Sequence, residues 1–311
     1  MAARVTHHAR NRNAGKTMKA RSSIERQMAR LAGGLVAPSW FLILAVFALP
    51  ILGAVWLSFR NETLGAFAPP KFIGFENYST AFADPRFWES IRTTIWLTVL
   101  GLLVQIPIGI GLAVILERNL RGTQMFRTIL IIPMLLTPVA VGLMWRFMFD
   151  TDLGVINWAL AAVGLDGPNW LGSRWGAIWA VVIVDSWQSI PFIMLIVLAG
   201  LAGLPKGPHE AATIDGANAV QVFFYVTLPA LGPVILVTLM IRIIDSLKMF
   251  DLIYIITTRG GPGTATQTLG MLIYNTGFGF FQTSRAAALG ILMVLMVLPI
   301  YWLWQRAARR G

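Results

Sequence analysis

The chain has 311 residues, of which 56% are hydrophobic and 13% charged, with a formal net charge of +11. Soluble domains carry roughly 25% charged residues, so the composition excludes an ordinary water-soluble globule and points to the bilayer as solvent. The positive charge sits at the front: Arg4, Arg10, Arg12, Lys16, Lys19, Arg21, Arg26 and Arg30 all precede the first apolar run. That is the pattern of membrane topology and not of a nucleic-acid face, so membrane lipid is expected as a partner and nucleic acid is not. Cysteine is absent, which excludes disulfides and thiolate metal sites. The first apolar run starts too far in and is too long for a cleaved signal peptide.

A membrane helix needs about 20 mostly apolar residues. In chain order the candidates are 35–59, 93–116, 128–145, 175–201, 226–258 and 286–305. The fourth is interrupted only by Asp185, while the fifth carries Arg242, Asp245, Lys248 and Asp251. The expectation is an all-α membrane protein with six transmembrane helices. A basic tail over 1–34 precedes a membrane domain over 35–305, and 306–311 closes the chain. With the tail inside, the inner segments also hold Arg118, Arg121, Arg127, Lys206, Arg306, Arg309 and Arg310. The outer segments hold Arg60, Lys71, Arg86, Arg92, Arg174, Arg259 and Arg285. Basic residues concentrate on the cytoplasmic side of membrane proteins, so both termini are expected in the cytoplasm.

Between the first two spans, Phe72-Ile-Gly-Phe-Glu-Asn-Tyr78 and Asp84-Pro85 combine turn formers and aromatics, so this segment is expected to be ordered and packed. Trp56, Trp88, Trp96, Trp170, Trp175 and Trp302 lie near span ends and read as an interfacial aromatic belt. Pro50, Pro107, Pro133, Pro138, Pro191 and Pro299 fall inside apolar runs, where each removes a helix hydrogen bond.

The inner loop between the fourth and fifth spans runs from Leu204 to Pro229. Pro208 suits a first helical turn and Glu210 favours the positive helix end. Ala211 and Ala212 form helix with almost no side-chain bulk. Asp215-Gly216 signals a turn in which glycine takes positive φ. Helix resumes at Ala217, with apolar residues at Val220, Phe223 and Phe224, until Leu228-Pro229 ends it. A short smooth helix, a tight turn and a second helix result, and the first can enter a groove on another protein.

Glu210-Ala211-Ala212, Asp215-Gly216-Ala217 and Leu228-Pro229 resemble the EAA signature of ABC-importer permeases. The resemblance extends over Asp185–Met194, Leu198–Leu201, Arg242–Tyr254, Thr257–Pro262, Thr266 and Asn77-Tyr78, nearly the whole chain after the tail. It is similar to the carbohydrate-uptake, maltose-permease-like branch. The resemblance implies a type I importer permease fold with a cytoplasmic coupling-helix loop. The implied partners are a second permease subunit, two ATP-binding subunits and an extracytoplasmic solute-binding protein. It implies no cofactor on this chain, with ATP and magnesium bound by the partner ATPase. The implied solute is a sugar or relative: an oligosaccharide, monosaccharide, sulfosugar, polyol or glycerol phosphate.

Ionisable residues within spans cost several kcal/mol unless paired or wetted. Arg242, Asp245, Lys248 and Asp251 follow at steps of three with alternating sign, so i,i+3 pairs are available while the series spirals round the helix. They form either a self-neutralised ladder or a polar cavity for a hydroxylated solute. Asp185 and Gln188 share a face of the fourth span beside Trp187. With Lys248, Asp251 and Tyr254 they are the candidates for the solute path, and Gln105 and Asn275 are weaker ones. The only Gly-Lys-Thr, at 15–17, has Arg10 in place of the first glycine of a phosphate loop. His7, His8 and His209 form no metal constellation, and no hydrolase triad is evident. The chain is thus expected to be a non-enzyme. An ion-gradient transporter is the alternative, but no inverted repeat is visible to support it.

Overall fold

The computed structural model describes residues 34, 36, 38–65, 69–118 and 122–308. The basic tail through residue 33, Leu35, Arg121, Arg309 and Arg310 lie outside the described residues. By its contacts the chain divides into two units, Met1–Trp56 and Leu57–Gly311. The first contributes most of helix α1, Pro38–Ser58. Trp40, Phe41, Leu42, Phe47, Leu49 and Leu52 give α1 large apolar side chains all round, the composition of a membrane-spanning helix.

The second unit opens with a two-residue ladder, β1 (Arg60–Asn61) antiparallel to β2 (Lys71–Phe72). Helix α2 (Glu76–Ala83) is tied to it by Asn77, whose Nδ2 donates to the Ser58 and Arg60 carbonyls at 2.8 Å each. Phe59, Phe75 and Tyr78 interlock beside it, so this segment is ordered as expected. Its tips are not buried: Phe72 and Phe75 stay exposed.

The spine is α3 (Pro85–Glu117) packed along α7 (Arg174–Ala202). At 33 residues α3 is roughly 50 Å long. Asp84 N-caps α3 and Ser173 N-caps α7, each accepting from a backbone N–H of the first turn. The two helices approach closely because Gly109 has no side chain; a Cβ there would sit 2.5 Å from Ile193 Cγ2. Small residues at helix contacts serve this purpose in membranes. One buried cluster, with Ile110, Ile193, Met194 and Leu231, fills the lower half of this contact, and a second, with Val181, Val184, Phe149 and Ile253, fills the upper half. Helices α13 (Leu269–Tyr274) and α14 (Thr283–Ala308) close a third cluster, around Phe87, Leu272 and Leu289.

Two expected spans are broken. The third consists of α4 (Thr123–Leu135) and α5 (Pro138–Met148), bent by 97°. Thr137 is extended because a residue before proline avoids helical geometry, and its hydroxyl caps α5 by accepting from Ala140 N. The fifth expected span, 226–258, is replaced by several pieces. Helix α8 (Gly207–Ile214) and helix α9 (Ala219–Val222) precede it. A π-helical turn (Phe223–Thr227) and α10 (Leu228–Ala230) then lead to α11 (Gly232–Leu247) across a 66° bend. Pro229 and Pro233 deprive this bend of two backbone donors. Helix α11 stops at Leu247, and α12 (Asp251–Ile256) is a separate turn. A short helix α6 (Val155–Ala162) lies between α5 and α7. The described residues hold four continuous helices long and apolar enough to cross a membrane, and two bent pairs that qualify as broken spans.

Candidate functional site: a coupling hairpin and a polar cluster

The hairpin hangs from the ends of α7 and α11. Pro208 occupies the first turn of α8 and Glu210 is its first-turn acid. The helix ends in a Schellman motif. Gly216, at φ +83°, donates its N–H to the Thr213 carbonyl, and Ala217 N–H reaches the Ala212 carbonyl at 3.0 Å. Asp215 is the C-cap. Asn218 and Gln221 then form a capping box that starts α9. Leu228 and Pro229 lie in α10, ahead of the bend. The first helix and the turn thus match what the residues predict; the second helix starts at Ala219 and not at Ala217, gives way to the π-helical turn after Val222, and Leu228-Pro229 opens α10 where it was expected to end the helix.

Three features were not predicted. His209 Nε2 meets Thr227 Oγ1 at 2.9 Å, stapling α8 to the π-helical turn. Ile214 is 86% exposed at the tip, with Val220, Phe224 and Tyr225 also exposed. Between the hairpin and the ends of α3 and α7 lies a cleft of about 680 Å³, lined by Glu117, Arg118, Lys206, His209, Glu210 and Phe223 among others. The capping box was a fourth, for which the spacing of Asn218 and Gln221 is a sequence signal; the staple has none.

The second assembly is a polar cluster between α3, α7 and α11. Arg242 Nη2 donates to Asp185 Oδ2 at 2.9 Å and Oδ1 at 3.2 Å, and Arg242 Nε donates to Gln105 Oε1 at 3.1 Å. Gln105 Nε2 returns to Asp185 Oδ2 at 2.7 Å, and Ser189 Oγ donates to Asp185 Oδ1. The arginine and aspartate side chains are 7% and 14% exposed. Asp245 stands 4.0 Å from Arg242 and 3.1 Å from Lys248, which is 61% exposed. Two steps of the expected ladder therefore exist. The third, Lys248 with Asp251, is not an ion pair here, because α11 ends at Leu247 and Asp251 opens α12.

The other candidates part company. Trp187 stacks edge-on against Trp145 at 5.6 Å between ring centres. Gln188 Nε2 donates to the Leu136 carbonyl at 2.8 Å, satisfying an acceptor at the α4–α5 bend. Tyr254 belongs to an aromatic group with Phe250 and Tyr274, at 5.5 and 5.3 Å, extended by Phe278 next to Tyr274. The Arg259 guanidinium lies 5.8 Å from the Tyr254 ring centre. Asn275 opens a π-helical turn and accepts from Phe280 N. Among the described residues no group of three or more His, Cys, Asp or Glu could hold a metal ion.

Residues 105–310 match the family described as "binding-protein-dependent transport system inner membrane component". The chain is 33% identical over 289 residues to the trehalose/maltose transport system permease protein MalF of Thermococcus litoralis, covering 93% of this chain and 97% of the relative. It is 36% identical over 283 residues to the sulfoquinovosyl glycerol transport system permease protein SmoG of Agrobacterium fabrum, with 90% of each covered. A bacterial alginate ABC transporter, solved in complex with alginate pentasaccharide-bound periplasmic protein, contains a chain that superposes with a TM-score of 0.78 at 26% identity, over 93% of this chain and 96% of that one. The hairpin on its two parent helices, the broken spans and these likenesses agree: the chain belongs to the binding-protein-dependent transport system inner membrane component family, as the permease of an ABC importer.

Proposed function

We propose that this chain forms half of the pathway for a sugar or sugar-derived solute and takes its drive from a separate ATPase that grips the α8–α9 hairpin. The working assembly is this permease, a second permease subunit, two ATP-binding subunits that hold ATP and magnesium, and an extracytoplasmic solute-binding protein. The observation that carries the reading is the hairpin itself. Its short helix has alanines on its surface and is closed by a glycine in left-handed geometry. An exposed isoleucine at its tip offers apolar area to a partner groove. The sugar class rests on the solutes named for the two relatives and for the alginate importer.

For the solute path we assign Lys248, Asp251 and Tyr254, with Phe250 and Tyr274 as further aromatic surface. Lys248 and Asp251 are exposed beyond the end of α11. Aromatic faces and charged groups together suit a hydroxylated solute. Asp185, Trp187 and Gln188 are engaged by Arg242, Trp145 and the Leu136 carbonyl, so their part in the path is taken to be indirect.

The test is purification of the tagged chain from its native membrane, followed by reconstitution. An ATP-binding subunit and a second permease should co-purify. Sugar uptake should require ATP and the binding protein. Uptake by this chain alone in liposomes, driven by an ion gradient, would refute the proposal.

A further inference from the structure

The hairpin is carried by two helices, α7 and α11, that must move together if a push on the hairpin is to travel further. Apolar contact alone allows packed helices to slide over one another by small shears. Among the described residues, α7 and α11 share one ion pair, Arg242 with Asp185, between positions 57 residues apart. It sits roughly 15 Å along α11 from its start at Gly232, deep within the membrane domain. The contact is a fork: one guanidinium nitrogen spans both carboxylate oxygens, and a second grips Gln105 of α3. Gln105 closes the triangle by bonding Asp185. Three helices are thus fixed at one level by directional bonds that a slide along any axis would break.

We propose that Arg242, Asp185 and Gln105 are positioning residues that lock α3, α7 and α11 into one body, so that movement of the hairpin reaches the solute path as a rigid displacement. The far side of the lock supports this. Asp245 joins Arg242 to Lys248 at the last turn of α11, and the chain then enters α12, which carries Tyr254. The cluster therefore lies between the element that receives the drive and the residues assigned to the solute. This role rests on the coupling reading of the hairpin given above.

The test measures solute moved per ATP hydrolysed by the full complex in proteoliposomes with its binding protein. Losing one partner strands a buried charge, so the decisive variant removes both: Asp185→Leu with Arg242→Met, of similar volume. This variant should assemble with its partners, while solute moved per ATP falls about tenfold. The solute concentration for half-maximal uptake should change by less than about twofold, because no solute contact is lost. Arg242→Lys keeps the charge but loses the fork, and should fall between the two. A double variant with the wild-type ratio overturns the lock. So does a wild-type ratio with a large shift in half-saturation, since Asp185 would then be touching solute. Should the double variant fail to assemble, Gln105→Leu decides: it leaves the ion pair whole, and a wild-type ratio removes α3 from the lock and overturns the proposal. Gly216→Val is measured alongside. If it uncouples while the cluster variants do not, the lock fails and the hairpin reading survives.

Discussion

At Gly216 the backbone stands at φ +83°, and a Cβ there would meet nothing within 4 Å. A bulky residue is therefore opposed by backbone geometry, at about 1–2 kcal/mol, and not by its own neighbours. Gly216→Val should fold and should damage the docked interface. We expect uptake to fall about tenfold or more, with the binding protein's affinity for solute unchanged; wild-type uptake and stimulated ATPase in this variant would remove the hairpin from the coupling path. Ala212→Phe should act in the same direction, because a ring on the smooth helix α8 would hold a partner's groove away from it. At the opposite end of α3, Asp84 accepts from Arg285 at 2.6 Å and Arg86 at 3.1 Å, tying α3 to α14. Burial pushes this carboxyl up, but the side-chain and backbone bonds of Arg86 and the charges of Arg86 and Arg285 outweigh it, leaving it below the ordinary 3.8. A depressed carboxyl stabilises the fold above its unfolded pKa and loses that contribution as pH falls through the folded one. Asp84→Asn should therefore lower stability by about 1–3 kcal/mol at pH 7. The gap from wild type in thermal unfolding should close as pH drops below 3.8. A gap that is constant with pH would assign the loss to packing.

The elements divide into those an apolar run can announce and those it cannot. The continuous helices α3, α7 and α14 followed from apolar runs, charge-free except for Asp185 in α7, within a few residues of their observed limits, apart from the extra turns at the start of α3 that Asp84 caps. The hairpin followed from Pro208, Asp215 and Gly216, because turn chemistry is local. The breaks did not follow. An apolar run reads the same whether the helix is straight or bent by 97°, and the proline that marks the bend is tolerated in straight membrane helices too. Nor could the run of four charges reveal that α11 ends beneath the third of them, or that Arg242 takes its carboxylate from another helix. The break has a functional consequence. It leaves Lys248 and Asp251 on the flanks of a non-helical step and lets Phe250, Tyr254 and Tyr274 group together. Alanine at Lys248, Asp251 or Tyr254 should raise the half-saturating solute concentration for at least one of the three by about tenfold, without loss of assembly. If all three variants assemble and take up solute with wild-type parameters, the path runs elsewhere.

For the whole molecule the decisive property is sidedness, because the hairpin can meet an ATPase only on the cytoplasmic face. The front-loaded basic residues argue for that face through a bias that acts during insertion. Geometry offers an independent check. Helix α3 runs roughly 50 Å from Pro85 to Glu117, enough to cross the hydrocarbon core of about 30 Å with both ends in the interfaces. Glu117 lines the hairpin cleft, so the hairpin and the Asp84 end of α3 fall on opposite sides. The loop after α5 should share the Asp84 side, since the bent α4–α5 pair must reverse the crossing. There Asp150 holds the turn: bonds from the Leu153 and then the Asp152 backbone N–H keep its carboxyl below the usual range. Leu153 beside it is 92% exposed. The natural chain has no cysteine, so a single one introduced at Ile214 or Leu153 is an unambiguous reporter. A membrane-impermeant thiol reagent added to intact spheroplasts should label Leu153→Cys at once and Ile214→Cys only after the membrane is opened. Reversed labelling would put the hairpin outside the cell, where no ATPase waits, and the coupling reading would fall with the topology.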